Sequence, residues 1–219
     1  MNPTQPVLDR GSFLNSAVLV QGSLILLSML LTWGTGINPM KVLDLSWAAF
    51  FFGIAATVPM LLLCFFTYRS RQRGLRRIRE FLVGTIGPIL VQCCWYDLIM
   101  LALLAGLSEE ILFRGILQPW LFDQLVEFRW FPQPEWLSIG LVNLIFGMAH
   151  LVTPMYGVLA WFIGCYLSFV QQFSPNQNLL SPIVTHAFYD WIMFYVIIRS
   201  TKNLPGREPD QPSDGDADL

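Results

Sequence analysis

Charge is scarce in this chain of 219 residues: only 13% of them are charged, against about 25% in ordinary soluble domains. Hydrophobic residues make up 54%, and the mean hydropathy is +0.53. That balance excludes a freestanding soluble domain and points to an integral membrane protein. Histidine is scarcer still, with two in the whole chain. The four cysteines, Cys64, Cys93, Cys94 and Cys165, all fall in apolar stretches. They form no CxxC pair and no disulfide framework, and read as small packed hydrophobes. No basic and aromatic surface stands apart from the apolar runs, which excludes nucleic acid as a partner. No internal repeat is visible.

What is present is a series of apolar runs: Phe13–Trp33, Trp47–Phe66, then about 98–117, 137–151, 155–170 and 182–198. A helix needs about 20 such residues to span a bilayer, fewer at the short end of the range. The expected fold is therefore all-α, a polytopic transmembrane helix bundle of about six spans. Pro59 is expected to kink the second span, and Pro182 suits the first turn of the sixth. A short apolar run at Phe81–Gln92, interrupted by Gly87-Pro88, reads as an interfacial or re-entrant helix. Asp97 reads as an N-cap for the third span. The stretch Asp123–Glu135 reads as a loop edged by Trp130, Phe131 and Trp136.

Six arginines crowd the loop between Tyr68 and Arg79. A binding patch for anionic partners is one reading; the positive-inside rule is the simpler one and puts this loop in the cytoplasm. Six spans then leave both termini cytoplasmic, in keeping with Arg10 at one end and Arg199, Lys202 and Arg207 at the other. Lys41 and Arg129 are the basic residues left for the far side. The chain divides into a tail at 1–12, two spans with the arginine-rich loop at 13–80, a membrane core at 81–200, and an acidic, proline-rich tail at 201–219 that is expected to be disordered.

Against that apolar background, Glu109, Glu110 and Arg114 sit inside the third run. Each ionisable side chain near a span's middle costs about 2.5–3.5 kcal/mol on insertion scales, so three in six residues need a reason. Glu110 and Arg114 are four apart, share a helix face and can pair; Gln118 extends that stripe by a turn. Glu109 points about 100° away. Unpaired within its own helix, it suits a general base. The fourth run carries Asn143 and His150 on one face, with Phe146 between them. The sixth carries His186 and Asp190, again four apart. Both histidines of the chain thus lie inside apolar runs on polar stripes, and convergence on one cavity would let all these groups share partners. A count along the helices leaves their depths unmatched. Glu109 and His186 fall nearer the non-cytoplasmic ends of their spans, and His150 near a cytoplasmic end. Tilts, a deep start to the fourth span or another topology would reconcile them.

Glu-Glu-x-x-x-Arg at 109–114, Phe-x-x-x-His at 146–150 and His-x-x-x-Asp at 186–190 together resemble the signature of the CPBP intramembrane proteases. That family includes the type II CAAX prenyl endopeptidases and bacterial relatives tied to bacteriocin processing and self-immunity. The order and spacing match, Phe113-Arg114-Gly115 strengthens the likeness, and it covers roughly residues 80–200. The resemblance implies a glutamate-dependent membrane endopeptidase with no obligatory metal and no other cofactor. Glu109 and His150 would activate a water; His186 and the residue at 190 would hold the oxyanion; Glu110 and Arg114 would support the site, with Asn143 and Phe146 beside them. Position 190 departs from the family, where Asn is frequent. An ionised Asp accepts only, so Asp190 is either protonated or orients His186. The implied partner is a peptide or membrane-protein substrate, prenylated or not, in the lipid bilayer.

Two other readings stand beside this one. Two histidines and three carboxylates could ligate zinc, although there is no His-Glu-x-x-His and Arg114 opposes a nearby divalent cation. A non-catalytic scaffold, immunity factor or carrier would use the same polar cluster as structure or relay.

Overall fold

A computed structural model describes residues 9–129 and 132–204. The N-terminal residues 1–8, the expected loop aromatics Trp130 and Phe131, and the acidic tail beyond 204 lie outside the described residues. Among those described, the chain is all-helical. Helix α1 (Arg10–Thr35) starts where the Asp9 carboxylate accepts from Ser12 N at 2.9 Å and ends at Gly36, whose φ of 74° suits glycine. Helix α2 (Trp47–Arg69) is capped by Ser46 and contains Pro59. Helices α3 (Arg73–Phe81) and α4 (Gly87–Leu90) flank a π turn at Leu82–Ile86. Helix α5 (Trp95–Leu112) runs through a second π turn, Phe113–Leu117, into α6 (Gln118–Phe128). Helices α7 (Pro134–Ala149), α8 (Pro154–Phe173) and α9 (Leu180–Lys202) complete the bundle. By length and composition α1, α2, α8 and α9 are able to cross a membrane, and α7 is a shorter apolar helix. The protein is an integral membrane protein.

Three local expectations are corrected. Most of the arginine-rich stretch is helix, not loop. Leu75, Ile78 and Leu82 recur at helical spacing and face inward, which leaves Arg73, Arg76 and Arg77 on the exposed face. The short helical segment expected over Phe81–Gln92 therefore begins at Arg73, well before Phe81. Asp97 is not the N-cap of α5. Cys94 holds that position, and Asp97, three residues on, reaches back to accept from Cys94 N at 2.7 Å. The third apolar helix does not stop near Leu117 but continues to Phe128, so part of the expected loop is helical.

Both π turns share a cause. Each begins six residues before a proline, Leu82 before Pro88 and Phe113 before Pro119. Proline has no N–H and crowds the carbonyl four residues back. The ladder widens just before it: Gly87 N–H reaches Leu82 O and Gln118 N–H reaches Phe113 O. Such widened turns are frequent at functional sites, and Arg114 lies in the second.

The packing order follows from paired contacts. Helices α1 and α5 run parallel, since Arg10 meets Asp97 and Gln21 meets Ser108. On α1 the half-buried and buried positions are Arg10, Leu14, Ala17, Gln21, Leu24, Ser28, Leu31 and Thr35, with a few flanking residues. Their alternating spacing of four and three is a heptad seam. Helix α9 lies between α2 and α5. Ser181 and Thr185 donate to Ala49 O and Gly53 O of α2, both at 2.9 Å. On its other side, a Cβ at Gly106 would come within 2.9 Å of Ile183 O, so only glycine lets α5 approach this closely.

Helix α7 runs antiparallel to the α5–α6 rod: Glu109 faces His150, Phe113 faces Phe146 and Arg114 faces Asn143. Its remaining turns lie along α6. This offset brings His150 level with Glu109. The C-terminal end of α7 meets α5 at Glu109, not at the start of that helix.

Candidate active site

Helix geometry separates the two adjacent glutamates. Glu110 is fully enclosed. Its Oε1 accepts from Arg114 Nη1 at 3.0 Å, the pairing expected from their spacing, and also from His186 Nδ1 at 2.8 Å. Arg114 Nη2 donates to Asn143 Oδ1 at 2.8 Å and to Gly164 O at 2.7 Å. Asn143 Nδ2 donates to Ser168 Oγ at 2.9 Å, and the Ser168 hydroxyl donates to Gln118 Oε1 at 2.7 Å. One continuous polar chain thus runs through α5, the π turn, α7, α8 and α9. Each link answers a group that could not be left bare in an apolar interior.

Glu109 turns to other neighbours. Its Oε1 accepts from Gln21 Nε2 of α1 at 3.3 Å. Its Oε2 has no protein hydrogen-bond partner and lies 3.8 Å from His150 Nε2. His150 closes the C-terminus of α7, where its Nδ1 donates to Phe146 O at 2.8 Å. That bond puts the proton on Nδ1 of the neutral ring and leaves Nε2 as an acceptor aimed at Glu109. Two acceptors therefore face one another across 3.8 Å, too far for a direct bond. Phe146 sits between the two polar sets, its ring 4.8 Å from the Arg114 guanidinium carbon and 4.4 Å from the His150 ring, centroid to centroid in the second case.

His186 is held at Nδ1 by Glu110, while its Nε2 lies 3.6 Å from Asp190 Oδ2. That separation is longer than a hydrogen bond, so Glu110 is what orients the His186 ring. His150, His186 and Asp190 line one cavity of about 130 Å³, room for several waters. Its walls come from α2, α3, α8 and α9 and include Met60, Cys64, Ile78 and Met193. It reaches Tyr68 and Arg79, where the Tyr68 hydroxyl donates to Ser200 Oγ near the end of α9. The cavity thus extends from the two histidines toward the arginine-rich end of the bundle. Among the described residues, no group of three or more His, Cys, Asp and Glu is arranged to hold a metal ion.

All eight residues singled out from sequence are therefore neighbours: Glu109 with His150; Glu110 with Arg114, Asn143 and His186; Phe146 beside both sets; Asp190 on the cavity wall. Sequence reading missed Gln21, Ser168 and Tyr156, the last on the cavity wall with its ring centroid 6.4 Å from that of His150. Gln21 carried a signal, being an amide in the middle of an apolar run; Tyr156 carried none beyond its closeness to His150 in the chain.

The family model for the Rce1-like type II CAAX prenyl endopeptidases matches residues 91–192. This is the family expected from the three motifs, and the match takes in all three within the anticipated 80–200. No curated protein and no solved structure matches the chain.

Proposed function

We propose, with the Rce1-like domain at residues 91–192 as premise, that this chain is a metal-independent glutamic endopeptidase cutting a peptide bond within the membrane. The observation that carries the reading is the pair of acceptors, Glu109 Oε2 and His150 Nε2, facing each other at 3.8 Å beside a cavity. A water seated there would donate one proton to each. Glu109 takes a proton as the water oxygen attacks the substrate carbonyl carbon. The same proton then passes to the leaving amine nitrogen as the C–N bond breaks. The carbonyl oxygen gathers charge on the His186 and Asp190 side, where a donor must meet it. Because Glu110 already orients His186, the reading of Asp190 as a protonated donor is favoured over an orienting role. Arg114 neutralises Glu110, which argues against a divalent cation at the same carboxylate.

The substrate on this reading is a peptide or membrane-protein segment entering from the arginine-rich end, which the positive-inside rule assigns to the cytoplasm together with both termini. Whether it carries a prenyl chain is decided by a paired panel of fluorogenic peptides, prenylated and unprenylated, incubated with purified protein. Wild type should cleave and keep its activity in EDTA, while Glu109→Gln and His150→Ala should each lose at least a hundredfold, on the scale of a lost general base (about 10²–10⁴). Loss in EDTA with recovery on zinc would replace this mechanism with a metalloenzyme. Full cleavage by Glu109→Gln would remove the base. A wild type that cuts no peptide, with biological function intact in Glu109→Gln, would favour a scaffold, immunity factor or carrier.

A further inference from the structure

We infer that Gln21 of α1 is a positioning residue for Glu109, so that the first helix, outside the matched domain, sets the geometry of the base. The inference rests on the glutamic endopeptidase reading. Gln21 Nε2 donates to Glu109 Oε1 at 3.3 Å. The other end of the same amide, Oε1, accepts from the hydroxyl of Ser108. Ser108 is fully buried and is the residue next to Glu109 on α5. The amide is therefore held at both ends and presents its donor to one carboxylate oxygen. That leaves the other oxygen, Oε2, toward His150.

The register of α1 makes this aim reproducible. Gln21 occupies an inward position of the heptad seam, as Arg10 does. Arg10 Nε donates to Asp97 Oδ2 at 2.7 Å and Arg10 Nη2 to Asp97 Oδ1 at 2.9 Å. Arg10 to Gln21 and Asp97 to Ser108 are the same eleven residues, three helical turns on each helix. A two-pronged ion pair at one end and an amide bridge at the other therefore fix α1 against α5 in one register. A polar side chain in such a seam commonly specifies register alone. Here the side chain also contacts the group proposed to take the proton.

The test compares Gln21→Leu, which fills the same space without a donor, with Gln21→Asn and wild type, each as full-length protein in bilayer nanodiscs. The infrared carboxyl band of Glu109, isolated by subtracting a Glu109→Gln spectrum in each background, should shift in Gln21→Leu. On a peptide that wild type cleaves, kcat should fall about tenfold with KM within twofold, and Gln21→Asn should recover part of the loss. A thermal midpoint within a few degrees of wild type would separate positioning from unfolding. An unchanged Glu109 band in Gln21→Leu overturns the inference whatever the activity. A shifted band in a protein that cleaves nothing supports the placement of Glu109 and removes the protease reading instead. A fall in kcat matched by an equal rise in KM, with the band unmoved, would assign Gln21 to register alone.

Discussion

Arg114 has no exposed side-chain surface, and neither has Glu110. A guanidinium in that setting is tolerable because its two terminal nitrogens meet Glu110, Asn143 Oδ1 and Gly164 O, while its Nε alone has no hydrogen-bond partner among the described residues. Breaking a buried pair by removing one partner costs about 3–5 kcal/mol, because the other charge is left unanswered. Arg114→Met should therefore lower the thermal midpoint sharply and reduce the yield of folded protein. Arg114→Lys should rescue little, since an ammonium on a flexible stem lacks the planar fork that reaches three acceptors at once. The double variant Glu110→Leu with Arg114→Met removes both charges and should be more stable than either single variant. Thermal unfolding in detergent measures all three, and additive losses in the double variant would contradict a coupled pair. The pairing of Glu110 with Arg114 was legible in the sequence because it depends only on helical spacing. The bond from His186 to Glu110 was not, because nothing local says which of two adjacent glutamates a distant helix will meet.

Among the helices, the hairpin of α7 and α8 bears directly on the site, since Asn143 and Gly164 face each other across it and both bind Arg114. A Cβ at Gly164 would collide with Asn143 Oδ1 and stand 3.2 Å from Arg114 Nη2. Gly164→Ala should cost about 1–3 kcal/mol through overpacking and weaken activity by displacing Asn143. A methyl added at Gly140 on the same hairpin would meet nothing within 4 Å, so Gly140→Ala should be neutral or stabilising by up to about 1 kcal/mol. Equal effects at the two positions, read by thermal shift, would mean that space and not the Arg114 network governs this hairpin. The spans themselves were legible because long apolar runs in a charge-poor chain admit few alternatives. The helical state of Arg73–Phe81 was hidden because four arginines and a glutamate masked the inward row of Leu75, Ile78 and Leu82. The two π turns were hidden because Pro88 and Pro119 signal an interruption without saying whether the helix ends or widens. The offset of α7 was hidden because it depends on α6, in a stretch whose mixed charge reads as loop.

At the scale of the whole molecule, one end of the bundle gathers Arg10, the exposed arginines at the start of α3, and Arg199 and Lys202 in the last turn of α9. Their common side follows from direct contacts: Arg10 with Asp97 at the start of α5, Arg79 Nη1 with Tyr68 O at 2.8 Å, and Tyr68 with Ser200. The opposite end is tied by Asn178, whose side chain accepts from Asp44 N at 3.1 Å and donates to Asp44 O at 2.7 Å. Basic residues near span ends set orientation, so the arginine end should face the cytoplasm, and with it the cavity that reaches Arg79. Single cysteines at exposed positions on the two ends, Arg71→Cys and Leu45→Cys in a background lacking the four native cysteines, report this directly. A membrane-impermeant thiol reagent should label Arg71→Cys only in inside-out vesicles and Leu45→Cys only in right-side-out vesicles. The reverse pattern would turn the bundle over and send the substrate in from the outer face, with every contact in the site unchanged. Orientation thus decides which substrates can arrive, while on the proposed reading the facing pair Glu109 and His150 decides what can be done to them.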